Sequence, residues 1–106
     1  MPVNTKIKIV KKQKLKDDII KYVCLAPEIA NDVKVGQFIE IKVSKGVEPF
    51  LRRPISIHNV DEENNIIEFI IQVKGKGTTE LSQIQEGEML DVIRTFRWGN
   101  IWYKNM

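Results

Sequence analysis

The sequence is short of residues that cross-link a chain, gather metal ions or enter a membrane. It has one cysteine, Cys24, and one histidine, His58. A lone cysteine excludes an internal disulfide, and also a cysteine-ligated iron–sulfur cluster built from this chain alone. A lone histidine excludes a histidine-rich metal site or a histidine dyad. No apolar run approaches the ~20 residues that cross a bilayer, and the N-terminus has no secretory h-region. These absences predict a cytoplasmic protein with no membrane association. Both tryptophans, Trp98 and Trp102, fall in the last residues, which leaves the rest of the chain without tryptophan.

The remaining composition is that of a folded soluble domain. Hydrophobic residues make up 42% of the chain and charged residues 29%, the balance of a globular protein rather than a disordered one. At 106 residues it makes one domain of modest size. The net charge of +3 comes from an early excess in Lys6, Lys8, Lys11, Lys12, Lys14 and Lys16. Such a run usually forms a solvated face; a nucleic-acid or acidic-partner surface is the alternative.

Hydrophobic periodicity predicts six short strands. Thr5 to Leu15 alternates, with Ile7 and Ile9 to one side and lysines to the other, as in an antiparallel strand with one wet face. Asp17-Asp18 makes a turn, and Ile19 to Leu25 returns with Tyr22 and Cys24 on one face. Cys24 there reads as a small buried hydrophobe. Pro27 to Asn31 is compatible with one turn of helix. Phe38 to Val43 is a third strand, and a fourth runs from Arg52-Arg53-Pro54 to Val60. Asp61 to Asn65 is a polar hairpin turn. Ile66 to Val73 is the fifth strand, Thr78 to Ile84 a short helix, and Met89 to Ile93 the sixth strand. Six strands with one or two short helices predict an all-β barrel or sandwich.

Two stretches carry chemistry. In Arg52-Arg53-Pro54-Ile55-Ser56-Ile57, proline fixes φ and has no N–H, which places Pro54 at a strand entrance or edge. Arg53 is held extended before it, its guanidinium fork aimed along the outer face toward a phosphate or carboxylate. Ser56 falls on the opposite side of the pleat from Ile55 and Ile57. In Ile70-Ile71-Gln72-Val73-Lys74-Gly75-Lys76-Gly77-Thr78-Thr79-Glu80, an apolar strand enters a glycine turn whose two glycines permit positive φ. Thr78 or Thr79 is the expected N-cap, with Glu80 in the first turn, a place suited to an anion. Taken singly, each stretch also reads as an ordinary edge strand or strand–turn–helix connection.

Together and in this order, Arg53-Pro54-Ile55-Ser56 and Gly75-Lys76-Gly77-Thr78 resemble the flavin-binding domain of the ferredoxin reductase family. Within it they are most similar to the electron-transfer subunits of class 1B dihydroorotate dehydrogenases. The resemblance runs from about Lys6 to Ile93. It implies a six-stranded antiparallel Greek-key barrel that holds FAD. Arg53 would pair with the pyrophosphate, and Pro54, Ile55 and Ser56 would lie along the flavin. The backbone of Ile70, Ile71 and Gln72 would face the pyrimidine side of the ring, and Gly77 and Thr78 would meet the pyrophosphate. Ile55 stands where the family usually has tyrosine, so aromatic stacking is lost there. Arg52, His58, Lys74 and Lys76 read as surface or neighbouring residues, with His58 half-buried. The partner implied is a dihydroorotate dehydrogenase catalytic subunit, served with electrons from NADH in pyrimidine biosynthesis.

The segment Arg94 to Met106 departs from that pattern. The family continues as Gly-Pro-Leu-Gly into a nucleotide-binding domain and a cysteine cluster for an iron–sulfur centre. One choice of codons for the segment, AGG ACC TTT AGG TGG GGA, reads Gly-Pro-Leu-Gly when its first base is dropped. The expectation is an FAD-binding barrel over residues 1–93 and a frameshifted tail over 94–106, with the nucleotide-binding and iron–sulfur parts absent. Phe96, Trp98, Ile101, Trp102 and Tyr103 are then expected to drive self-association. Two other readings stay open: a basic β-barrel holding single-stranded nucleic acid through its lysines and Trp/Arg tail, and a folded fragment without activity.

Overall fold

A computed structural model of the chain describes residues 3–42 and 52–94. Alternating apolar residues build six strands: β1 (Val3–Lys16), β2 (Ile19–Leu25), β3 (Phe38–Lys42), β4 (Arg52–Asp61), β5 (Ile66–Gln72) and β6 (Met89–Arg94). One short helix, α1 (Lys76–Leu81), lies between β5 and β6. The strands close into an antiparallel barrel in the order β1-β2-β5-β4-β3-β6. The meander β3-β4-β5 has β2 beside its last strand, reached by the long β2–β3 connection, which is the Greek-key arrangement. Closure pairs the first and last described strands, β1 with β6 from Val3↔Arg94 to Lys8↔Met89, and leaves no long open edge there.

The barrel interior follows the period of two. Ile20, Tyr22 and Cys24 of β2 point inward, as do Ile67, Phe69 and Ile71 of β5 and Leu90 and Val92 of β6. The Tyr22 and Phe69 rings pack with centroids 5.4 Å apart. In β1 the alternation holds through Thr5, Ile7 and Ile9 and then fails. The register shifts between Ile9 and Lys11, which leaves Val10 exposed and changes the phase of the rest of the strand. Lys12 therefore departs from the wet face expected of the lysines. It is half-buried, its Nζ donates to the Ser82 carbonyl at 2.6 Å, and it lies 5.8 Å from the Tyr22 ring centroid.

The connections close the barrel ends. Residues 27–32 form hydrogen-bonded turns rather than a helix: Ala30 N–H donates to the Ala26 carbonyl at 2.9 Å and Val33 N–H to that of Ile29 at 3.1 Å. Ile29, Ala30 and Val33 are buried and extend the core. The β4–β5 hairpin turns on Asp61, whose carboxylate accepts from the Asn64 side chain at 2.8 Å and its N–H at 3.3 Å. These bonds hold the carboxyl below its usual range. Asn65 takes the left-handed conformation, φ 58°.

Candidate functional site

The site is built where the sheet comes apart. β4 pairs with β5 only from Ile57↔Phe69 to Asp61↔Ile66, with a bulge between Ile57 and Asn59. Its first half, Arg52 to Ser56, pairs with β3 alone. The end of β5 pairs with β2 alone, up to Ile19↔Gln72. Beyond Phe69 the two strands diverge, leaving an open edge on each. Ile57 bonds toward β3, its N–H donating to the Gln37 carbonyl at 2.8 Å and its carbonyl accepting from Gly36 N–H at 3.0 Å. Strand peptides alternate sides, so those of Ser56 and Pro54 face the gap. On the other wall, Val73 N–H donates to the Asp18 carbonyl at 2.7 Å, toward β2. The peptides of Ile70 and Gln72 therefore face the gap as well. Pro54 sits opposite Glu40 of β3 but has no described strand on its gap side, so its missing N–H costs no ladder bond there.

Around the gap is a shallow groove of about 310 Å³ lined by Val35, Gly36, Ser56, Ile57, His58 and Ile70. Of the residues expected at the site, Ser56 and Ile70 meet here. Arg53 lies three residues further along β4, about 10 Å at strand rise. Its register partner is the buried Ile41, which puts it on the inward face with Ile55 and Ile57. This corrects the expected outer face, although Arg53 is still exposed. Its guanidinium has no hydrogen bond or ion pair with another described residue. Arg52 is the contrast. It donates to the Asp91 carbonyl at 3.2 Å and carboxylate at 3.0 Å, tying β4 to β6 across β3.

Ile55 is half-buried against the core, and Ser56 is exposed on the opposite side of the pleat. The Ile71 side chain is buried at 2% exposure and, by alternation, its peptide faces β2, so Ile71 does not reach the gap. The Gln72 side chain donates to the Asp18 carboxylate at 3.2 Å.

The glycine turn differs from its expectation. The helix starts two residues earlier, at Lys76 with Gly75 as N-cap, and Gly75 is extended at φ −158° rather than left-handed. Thr78 is the third helical residue. Its hydroxyl accepts from the N–H groups of Lys74 at 3.0 Å and Gly75 at 3.1 Å, half of a capping box. Gly77 lies one residue before it, and Glu80 beyond the first turn. The far end of α1 is held by the barrel: the Tyr22 hydroxyl donates to the Leu81 carbonyl at 2.9 Å and lies 3.2 Å from that of Ile84.

Val35, Gly36 and His58 line the groove, and none of them is marked as a site residue by the sequence pattern. His58 is exposed rather than half-buried. The sequence signal here is the run Lys34-Val35-Gly36-Gln37, which reads as a turn without saying which strand it leans on. From residue 95 on, the chain lies outside the described residues. So do the frameshift, base-stacking and self-association expectations placed on that tail.

A six-stranded Greek-key barrel whose ladder is interrupted near an exposed arginine with no described partner has the form of a flavin-binding module. The chain belongs to the oxidoreductase FAD-binding domain family, whose profile matches residues 6–98. FAD is the cofactor of that family, and the residues present fit it: backbone groups on both gap walls and a guanidinium, none with a partner among the described residues, beside an apolar groove. The chain is 38% identical over 88 residues to the dihydroorotate dehydrogenase B (NAD(+)) electron transfer subunit of Lysinibacillus sphaericus, covering 83% of this chain and 34% of that protein. It is 50% identical over 58 residues to the same subunit of Bacillus cereus strain G9842, covering 55% and 22%. It thus spans about a third or less of the curated relatives it matches. Among solved structures it is similar to an NADH-dependent reduced ferredoxin–NADP oxidoreductase, with TM-score 0.72 and 30% identity over 81% of this chain and 30% of that one. A Neisseria gonorrhoeae ferredoxin NADP+ reductase with bound FAD and NADP shares the fold at TM-score 0.68 and 21% identity, covering 84% and 36%. The family match sets aside the nucleic-acid reading. No described helix is long and apolar enough to cross a membrane.

Proposed function

We propose that this chain is the flavin-binding part of an electron-transfer subunit that takes electrons from NADH and serves a dihydroorotate dehydrogenase catalytic subunit in the cytoplasm. The observation that carries the reading is the interrupted β4–β5 ladder. Sheets rarely leave facing peptide groups unpaired unless something else satisfies them. A flat heterocycle with donors and acceptors on its rim fills such a gap as a substitute strand would.

Each residue has a task in this reading. Ser56 and Ile70, with Gln72, offer backbone N–H and C=O groups from the two walls. Pro54 adds an acceptor without a competing donor. Ile55 backs the site from the core. Arg53 supplies a fork of donors to the pyrophosphate, and Arg52 is withheld from that role by Asp91. Gly77 and Thr78 lie at the start of α1, where the Thr78 hydroxyl already shapes the turn from Lys74. When bound, FAD supplies the exchange of electrons between a hydride donor and single-electron acceptors. The NADH site and iron–sulfur centre of the full pathway would lie outside the barrel.

The test is FAD binding by the purified chain. Flavin absorbance retained on purification, or saturable quenching of added FAD fluorescence, is the expected result. Colourless protein that leaves FAD fluorescence unchanged refutes the proposal.

A further inference from the structure

His58 is the extra residue of the β4 bulge: Ile57 faces Phe69 and Asn59 faces Glu68, with no residue opposite His58. A bulge bends its strand and re-aims the side chain it carries. Here it leaves His58 exposed on the groove wall, with Ser56 and Ile57 beside it, Ile70 across, and Val35 and Gly36 along the rim. The rim is tied to the bulge through the two bonds between Ile57 and the 36–37 turn. Gly36 turns at φ +91°, and a Cβ built there meets no described atom within 4 Å, so no described residue fills the space above the rim. Val35 stands at that rim with 61% of its surface exposed. Of the described lining residues, only His58 is ionisable. An open trough with one imidazole, one hydroxyl and otherwise apolar walls suits a flat ring better than a phosphate.

We propose that the flavin ring of FAD lies across His58 and the Val35–Gly36 rim, making His58 a cofactor-contacting residue beyond the Arg53–Ser56 stretch. This rests on the FAD reading above. The occupant follows from the shape of the gap: a ring bonded to Ser56 and Ile70 must extend either back toward Arg53 or onward over the bulge. The charged, hydrophilic end of the cofactor belongs with Arg53, which leaves the bulge for the ring.

His58 is the only histidine in the chain, so its imidazole Cε1–H gives a single signal in proton NMR. FAD is added to the protein, and ADP, which has the pyrophosphate but no flavin, is added separately. FAD is expected to shift the signal through the ring current of the flavin, and ADP to leave it in place. A signal that stays put at saturating FAD, or moves equally with ADP, overturns the inference alone. A chain that does not bind FAD at all overturns it together with the reading on which it rests. In a second measurement His58→Ala, at an exposed position where folding is not at stake, is expected to weaken FAD binding about fivefold, the scale of one modest contact. Unchanged FAD affinity in that variant also overturns it.

Discussion

Replacing each of the two adjacent arginines with alanine separates binding from stability. Arg53 is exposed and has no partner among the described residues, so Arg53→Ala breaks no described bond of the free protein. Its cost should fall on the complex, where a charge-assisted hydrogen bond to the pyrophosphate is worth about 1.5–3 kcal/mol. That corresponds to about a 10- to 150-fold rise in the Kd for FAD. Arg52 holds Asp91 at 3.0 Å, with side-chain exposures of 16% and 28%. Arg52→Ala breaks a partly screened ion pair and a bond to the Asp91 carbonyl, and should cost about 1 kcal/mol of folding stability. Its FAD affinity should change less than threefold, a limit of about 0.7 kcal/mol. The assay is FAD fluorescence titration beside thermal melts of the same samples. Equal losses of affinity, or an unchanged Kd in Arg53→Ala, would refute the division of roles between the two residues.

Other expectations concern the core and its titrating groups. Tyr22→Phe removes the donor to the Leu81 and Ile84 carbonyls and should lower stability by about 1–3 kcal/mol in urea melts, with the strand signal in circular dichroism retained. Phe69→Ala empties a fully buried position against Tyr22 and should cost about 3–5 kcal/mol; a loss below 1 kcal/mol would show that the barrel interior is not packed as described. Burial pushes the Cys24 thiol from 9.0 up to about 12. Burial first, then the Cys24 and Glu88 charges, push the Tyr22 hydroxyl from 10.0 up to about 12. The fold favours both neutral forms, so their stabilisation is complete below the unfolded values and is lost as pH rises through about 12. Folding stability should therefore fall from pH 9 upward, by at most about 1.4 kcal/mol per pH unit for each group, and Cys24→Ala should remove the first part of that fall in denaturant melts. The same burial predicts that a thiol reagent at pH 8 labels Cys24 only after denaturant is added.

Much of the barrel is legible in the chain because strand formation is written in alternation. Ile20, Tyr22 and Cys24 show the inward face of β2 without help, and its ends at Ile19 and Leu25 agree with the reading. The polar run after Asp61 marks the hairpin, and β5 and β6 fall within a residue of where their periodicity places them. Cys24 as a buried hydrophobe is legible for the same reason. The two motif stretches, read together, point to the family that the profile match shows.

What alternation cannot express is which strand a residue faces after the chain has gone around the barrel. The bulge near Val10 reverses the phase of β1, because one extra residue swaps inside for outside, and that lets Lys12 reach Ser82. The α1 start at Lys76 rather than Thr78 is decided by Thr78 reaching back to Gly75 and by Tyr22 holding the far end from β2, a contact 59 residues away in sequence. Arg52 and Arg53 are indistinguishable as neighbours in a sequence. The register with Ile41 and the carboxylate of Asp91 on β6 give them different work. The gap itself is a tertiary fact, because β4 and β5 each look like complete strands and only their divergence after Phe69 leaves peptide groups facing an open edge. Local periodicity determined the strands and their inward faces, since each side chain's direction depends on its near neighbours; closure, strand divergence and the partners of the two arginines depend on residues far apart in sequence, and only the folded barrel brings those together.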